Sequence, residues 1–336
     1  MAYQGVGTPR FYVDHGLWLS SIGGAERGYW TGGGNSPASD AVSLALVKLD
    51  PTQQLQPWNF VHVPRVAPIT YTAYLNHNLA SIGGFCYPEW HDGTSYQSGG
   101  ERQEVNGSMY NTPPESNGFS LFTFPDFDYP FHRAALFDMG DPSFHIGAIS
   151  VGSYYDMPRS PELNLTLTRE LDGVKRVRTK GGADLVDHKY LRPPKWGKIP
   201  AWQLADANYS TDEITRIGRR TWDLSFSHLG SKETLGLNNV WSSFVFSTEG
   251  YSEEDDYFYN SDHGNLFDAS IFNHDSFFSQ VLFKTMGGKL RFIFQPDSNN
   301  NNPDQFAICK LDMDSFQASQ VANGVYNIKL KIREVW

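Results

Sequence analysis

Between residues 326 and 333 the chain alternates without a break. Tyr326, Ile328, Leu330 and Ile332 are apolar, and Asn327, Lys329, Lys331 and Arg333 between them are polar or charged. Successive side chains of a strand point to opposite faces, so this pattern buries one face and leaves the other in polar surroundings, as an antiparallel sheet requires. Asn323-Gly324 just before it suits a two-residue hairpin turn, because both positions there need left-handed backbone. Residues 316–321 are the expected hairpin partner. The same period recurs where Leu163, Leu165 and Leu167 alternate with Asn164, Thr166 and Thr168, and where Trp222, Leu224 and Phe226 alternate with Asp223, Ser225 and Ser227. Residues 145–155, around Ile146, Ile149 and Val151, form a further strand candidate.

Composition extends this to the whole chain. Of 336 residues 15% are aromatic (23 Phe, 17 Tyr, 9 Trp) and only 19% are charged, against about 25% in ordinary soluble proteins. With 31 Gly and 19 Pro, the profile excludes a disordered chain and a coiled coil and favours many strands and tight turns. Residues 1–138 are broken into short pieces by Gly23-Gly24, Gly32-Gly33-Gly34, Gly83-Gly84, Gly99-Gly100 and Pro113-Pro114, with strand-like runs at 41–47, 59–63, 69–75 and 119–124. Residues 11–22 fit a strand or a short helix. In 275–286, Phe277, Phe278, Val281, Leu282 and Met286 fall on one helical face. Asn273 or Asp275 suits its start and Gly287-Gly288 its end. The expected fold is mainly β. An irregular β-rich peripheral domain (1–138) precedes an antiparallel β-barrel or sandwich with one packed amphipathic helix (139–336).

A net charge of −10 counts against nucleic acid as the partner. No apolar run approaches the ~20 residues of a membrane-spanning helix. The first five residues lack the basic and apolar regions of a signal peptide, so synthesis in a reducing cytoplasm is expected. Cys86 and Cys309, far apart, read as buried small residues. There is no phosphate loop, dinucleotide fingerprint, zinc-protease motif or nucleophile elbow, and neither enzyme activity nor a cofactor is expected. Asp262-His263 with His274-Asp275 reads first as polar side chains of loops and a helix start that face solvent, and second as a transition-metal site, since imidazole and carboxylate suit such ions. The acidic run Glu253-Glu254-Asp255-Asp256 lacks the alternating spacing of a calcium loop. The Asn/Asp-rich stretch 297–304 reads first as a long hairpin loop and second as a cation site.

Lys175, Arg176, Arg178 and Lys180 follow the turn pair Asp172-Gly173, and so form a basic, exposed hairpin arm. In an acidic chain such an arm suits docking on an acidic neighbour, for which Glu253–Asp256 of an adjacent copy is the candidate. The strand that ends at Trp336 is the second expected contact. Tyr29, Trp30, Tyr87, Trp90 and Tyr96, in Gly/Pro-rich surroundings, are the residues that would stack on sugars if the N-terminal region binds glycan.

Three stretches carry a resemblance. They are 144–158, from Phe144-His145-Ile146-Gly147 to Tyr154-Tyr155-Asp156-Met157-Pro158; Gly218-Arg219-Arg220-Thr221-Trp222-Asp223-Leu224-Ser225-Phe226; and the C-terminal order of helix, Gly287-Gly288, Phe292-Ile293-Phe294-Gln295-Pro296-Asp297 and closing strand. Together, over about residues 140–336, they resemble the ring-forming domain of tail-tube and distal-tail (baseplate hub) proteins of tailed bacteriophages. The resemblance implies a virion structural protein that forms a homo-oligomeric ring, hexameric in distal-tail proteins, and contacts neighbouring tail proteins. A fibre, decoration or receptor-binding protein with a carbohydrate-binding N-terminal domain, contacting host surface glycan, is the alternative. A polysaccharide-degrading enzyme is a third class, for which no pair of carboxylates is singled out.

Overall fold

The computed structural model describes residues 6–21, 29–32, 58–64, 67–91, 96–98, 103–105, 114, 117–127, 129, 131–137, 141, 144, 146, 148–170, 175–187, 219–235, 275–301 and 305–335. The first half contains β1 (Arg10–Asp14), α1 (His15–Ser21), β2 (Tyr29–Gly32), β3 (Trp58–Pro64), β4 (Tyr71–His77), α2 (Leu79–Ile82), β5 (Phe85–His91), β6 (Tyr96–Ser98), β7 (Gln103–Val105), β8 (Gly118–Thr123) and β9 (Phe131–Phe137). The second contains β10 (Ala148–Asp156), β11 (Thr166–Glu170), β12 (Lys175–Arg178), β13 (Asp184–Asp187), β14 (Arg219–Gly230), α3 (Ser231–Thr234), a π-helix (Phe278–Phe283), β15 (Phe292–Gln295), β16 (Ala307–Leu311), β17 (Ala318–Ala322) and β18 (Val325–Glu334).

The protein is mainly β, built on one large antiparallel sheet of 11 strands in the order β11-β14-β18-β16-β15-β1-β10-β4-β8-β7, with β17 beside β18. Among the described residues its path is open at β11 and β7, so of the expected barrel or sandwich the barrel is corrected to an open sheet. Strands β1, β4, β7 and β8 share it with β10 and β14–β18, so the division expected at 138/139 runs through a single sheet. A five-stranded sheet, β2-β3-β9-β5-β6, and the β12–β13 hairpin complete the set.

Strand β1 is the keystone. It pairs with β10 on one side and β15 on the other, joining chain segments nearly 300 residues apart. Its alternation explains how both faces are buried. Phe11 and Val13 point into a core with Trp222, Phe292, Phe294, Leu330 and Ile332, while Tyr12 joins Tyr71, Ala73, Leu121 and Ile293 on the other face. Phe11 lies 5.2–5.5 Å by ring centroid from Phe277, Phe292 and Phe294. Each such buried ring contributes about 1.5–3 kcal/mol. Gly152 in β10 is required by this packing, since a Cβ there would stand 1.9 Å from the Val13 carbonyl oxygen. A further core joins Tyr74, Phe122, Ile149 and Val151 of the large sheet to Cys86, Trp90, Ala134 and Leu136 of the five-stranded sheet. Cys86 and Cys309 are both buried.

Several local expectations meet the structure directly. The 11–22 segment is both strand and helix, switching at Asp14, whose carboxylate accepts the Leu17 N–H (2.7 Å) and caps α1. The expected 316–321 and 326–333 hairpin forms as β17–β18 around Asn323-Gly324. The expected amphipathic helix is a π-helix. Its start is capped by the Ser276 hydroxyl, which accepts the Ser279 N–H (3.2 Å), rather than by Asp275. Residues 276, 277, 279–282, 284 and 285 are all buried, so no polar face is left. Gly287 and Gly288 end it in left-handed backbone (φ 69° and 81°), and the Gly287 N–H donates to the Leu282 carbonyl (2.7 Å). Met286, expected on the apolar face, is exposed and itself left-handed (φ 54°). Leu163, Leu165 and Leu167, expected in a core, are exposed. The runs expected at 41–47 lie outside the described residues.

Candidate functional site

Two places combine chemistry with unusual surroundings: the exposed β11–β13 arm, and a buried polar cluster where α1, β10 and the π-helix meet.

The arm leaves the end of the large sheet. β11 pairs with β14 on one side, with Leu167 opposite Trp222 and Thr168 opposite Thr221. On the other side β11 is the end of the sheet among the described residues. Residues 162–169 and, in the hairpin, 176–178 and 180–185 are exposed. The exposed apolar side chains are Leu163 (81%), Leu165 (38%), Leu167 (51%), Val177 and Leu185. The basic residues lie in a hairpin that turns at residues 179–183; Asp172-Gly173 lies outside the described residues. Lys175, Arg176 and Arg178 are in β12 and Lys180 is in the turn. Across the hairpin Lys175 lies opposite Asp187 and Arg178 opposite Asp184, and Arg176 forms an ion pair with Asp184. The hairpin therefore carries its own acidic strand, and its charge is mixed rather than purely basic. Trp336 and the acidic run 253–256 lie outside the described residues.

All five sugar-stacking candidates lie in strands of the five-stranded sheet. Tyr87 and Trp90 are buried (2% and 3% exposed) in β5, not displayed in loops, which corrects the expectation for both. Trp90 is enclosed by Phe124 and Phe127, at centroid distances of 4.9 and 4.4 Å. Burial of such a ring strengthens the sheet-to-sheet core and removes it from any ligand. Tyr29 and Trp30 lie in β2 and Tyr96 in β6, again strands rather than loops.

The 297–304 loop joins β15 to β16 as a long hairpin connection and is described to residue 301. Asp297 accepts the Asn299 N–H through its side chain (3.0 Å) and the Asn300 N–H through its carbonyl (3.0 Å). Gln295 donates to the Asn300 carbonyl and the Asn301 side chain (3.0 and 3.1 Å) and accepts from the buried Tyr12 hydroxyl (2.7 Å). These oxygens serve the loop's own turn. Among the described residues no group of three or more His, Cys, Asp or Glu is placed to hold a metal, and no helix is long and apolar enough to cross a membrane. Asp262, His263 and His274 lie outside them.

The buried cluster was not anticipated. Lys284, just past the π-helix, is 0% exposed. Its Nζ donates to Gln280 Oε1 (2.7 Å) and Ser153 Oγ (3.3 Å) and lies 3.5 Å from His15 Nε2. His15 Nε2 is 3.1 Å from Ser153 Oγ, and the Trp18 ring lies 5.8 Å from the ammonium. All three partners of the ammonium are neutral. Burial pulls Lys284 down to about 8, against the field of Asp275, which raises it. Burial, then the Lys284 charge, hold His15 well below the usual histidine range. The ring is therefore neutral. With Nε2 accepting from Lys284 its proton sits on Nδ1, which has no hydrogen-bond partner among the described residues.

Alternation along β10 places this cluster. Ile149 and Val151 enter one core, Ser153 follows on the same face, and Tyr155 enters the next core. The polar group thus sits between two apolar cores. Asp14, the neighbour of His15, belongs to the opposite face beside Ser150 and Tyr71, and burial raises it to about 7. One sequence signal could have found the cluster: Lys284 falls three residues after Val281 and seven after Phe277, on the apolar stripe of the expected helix. Compared with known protein families, curated proteins and solved structures, the chain matches none.

Proposed function

We propose that this chain is a structural component of a bacteriophage tail or distal tail hub, which assembles with copies of itself into a ring and connects tail parts within the virion. It does no chemistry in this role. The supporting observation is the end of the large sheet. Among the described residues β11 pairs along one edge only, and exposed leucines mark that end of the sheet, Leu163 (81% exposed) and Leu165 just before β11 and Leu167 within it. Monomers blunt such edges with charge, Pro or a covering element, whereas assemblies bury them against a neighbour. An edge that meets a different surface on the next copy makes a head-to-tail contact, and such contacts close into rings. In this reading the two sheets form a sandwich about the Trp90 core, the β12–β13 hairpin reaches the adjacent copy, and six copies close the ring.

Replacing Leu163, Leu165 and Leu167 together by Ser tests the reading. Assembly is lost while far-ultraviolet circular dichroism and thermal unfolding of the monomer stay unchanged. Unaltered assembly in that variant would remove the support.

A further inference from the structure

We propose that residues 276–290 form an acid-released latch: protonating His15 sets a second cation against the buried Lys284 ammonium and frees the π-helical turn from β1 and β10.

Three features of geometry support this. First, His15 Nε2 and Lys284 Nζ are 3.5 Å apart, both residues are essentially inaccessible (1% and 0% exposed), and among the described residues no carboxylate is within ion-pair distance of either. Two cations at that separation in a dry site repel strongly, with only the neutral Gln280 and Ser153 oxygens in contact to offset them. Second, Lys284 belongs to a segment that carries its own strain. A π-helix is a rare conformation, and it runs into three successive left-handed residues, Met286, Gly287 and Gly288. Met286 has a side chain and is exposed, so no packing of its own repays that backbone. Third, the segment is attached through the very side chains that titration disturbs. Gln280 and Lys284 meet Ser153 and His15.

The other charged and titratable groups around the pair are few. α1 contributes Trp18, which is not titratable. β10 contributes Ser153 and, further along, Tyr155. The latch itself carries Asp275, whose field favours the Lys284 cation. Asp14 of β1 and Tyr71 of β4 face the opposite side of the sheet. The sign follows from His15. Latched, it stays neutral well below 6.5; released, it titrates near 6.5. Release takes up a proton, so the latched state loses ground as pH falls through 6.5, by up to about tenfold per pH unit.

Hydrogen exchange of the full-length chain, read by mass spectrometry as protection factors at about pH 7.5 and pH 5.5, tests this. Protection of 276–290 falls about tenfold at the lower pH while β14 and β18 hold theirs. His15→Gln keeps a polar group that cannot gain charge and abolishes the fall. Lys284→Met removes the second cation but leaves His15 buried, so the fall becomes smaller, and either variant suffices if the other does not fold. Unchanged protection in the wild type, an equal loss across β14 and β18, a fall that persists in folded His15→Gln, or one undiminished in folded Lys284→Met would each overturn the latch.

Discussion

Leu167 stands directly opposite Trp222 across the β11–β14 pair, yet half of Leu167 is exposed while Trp222 is buried in the core. The two occupy one face of one sheet. What differs is the cover. The packing that encloses Trp222 and Phe294, 5.2 Å apart by ring centroid, stops before the last strand. An apolar face that outruns its own core is the physical basis for reading β11 as a contact surface.

The pair should therefore respond differently to truncation. Leu167→Ser changes monomer stability by less than about 0.5 kcal/mol, as for surface positions. Trp222→Ala costs about 3–5 kcal/mol, as for a filled core. Urea unfolding of both variants at low protein concentration checks the contrast, and equal costs would mean that Leu167 is covered within the monomer.

Trp90 should behave as a core residue. Trp90→Ala lowers stability by about 3–5 kcal/mol, because Phe124 and Phe127 lose the ring between them. A sugar-stacking residue on the surface would leave the thermal midpoint unmoved when truncated, so calorimetry separates the two roles.

Arg220 and Glu334 form a buried pair that closes β14 onto β18. Arg220 donates to both carboxylate oxygens (3.2 Å each) and to the Phe306 carbonyl (3.1 Å). Removing Glu334 takes both carboxylate bonds from the buried Arg220 guanidinium, so Glu334→Leu alone costs about 3–5 kcal/mol. Arg220→Met with Glu334→Leu costs less than the sum of the single changes, and a double-mutant cycle by denaturant unfolding measures that difference.

Lys284 gives stability a pH dependence on the alkaline side. Its value is about 8 in the folded chain and 10.5 when unfolded. Below about 8 both states hold the proton and the full penalty of burying the cation applies. Between 8 and 10.5 the folded state has released it while the unfolded state still binds it, so stability rises with pH. The gain is on the order of 3 kcal/mol. Lys284→Met removes this rise, and the difference between the two urea-unfolding profiles over that range isolates it.

Much of the fold was legible where one rule decided the outcome. The period-two run 326–333 became β18, and the runs at 59–63, 69–75 and 119–124 became β3, β4 and β8. Legibility failed where a residue's setting depends on a distant segment. Leu163, Leu165 and Leu167 carry a buried-face pattern, but periodicity does not tell whether a second layer reaches that far. Trp90 looked like loop furniture among Gly and Pro, yet β9 and β8 close over it. The helical stripe was real at Phe277 and Val281, but the π-turn and left-handed exit exposed Met286. The polar cluster needs His15, Ser153 and Lys284 together, and it takes both the β1–β10 pairing and the packing of the π-helix on those strands to bring them within reach.

Native mass spectrometry of the full-length chain addresses the central claim most directly, namely that the open end of the sheet is covered by another copy. The account predicts a closed oligomer of six chains that falls to monomer when Leu163, Leu165 and Leu167 become Ser. A wild-type chain that stays monomeric at micromolar concentration and above would contradict it.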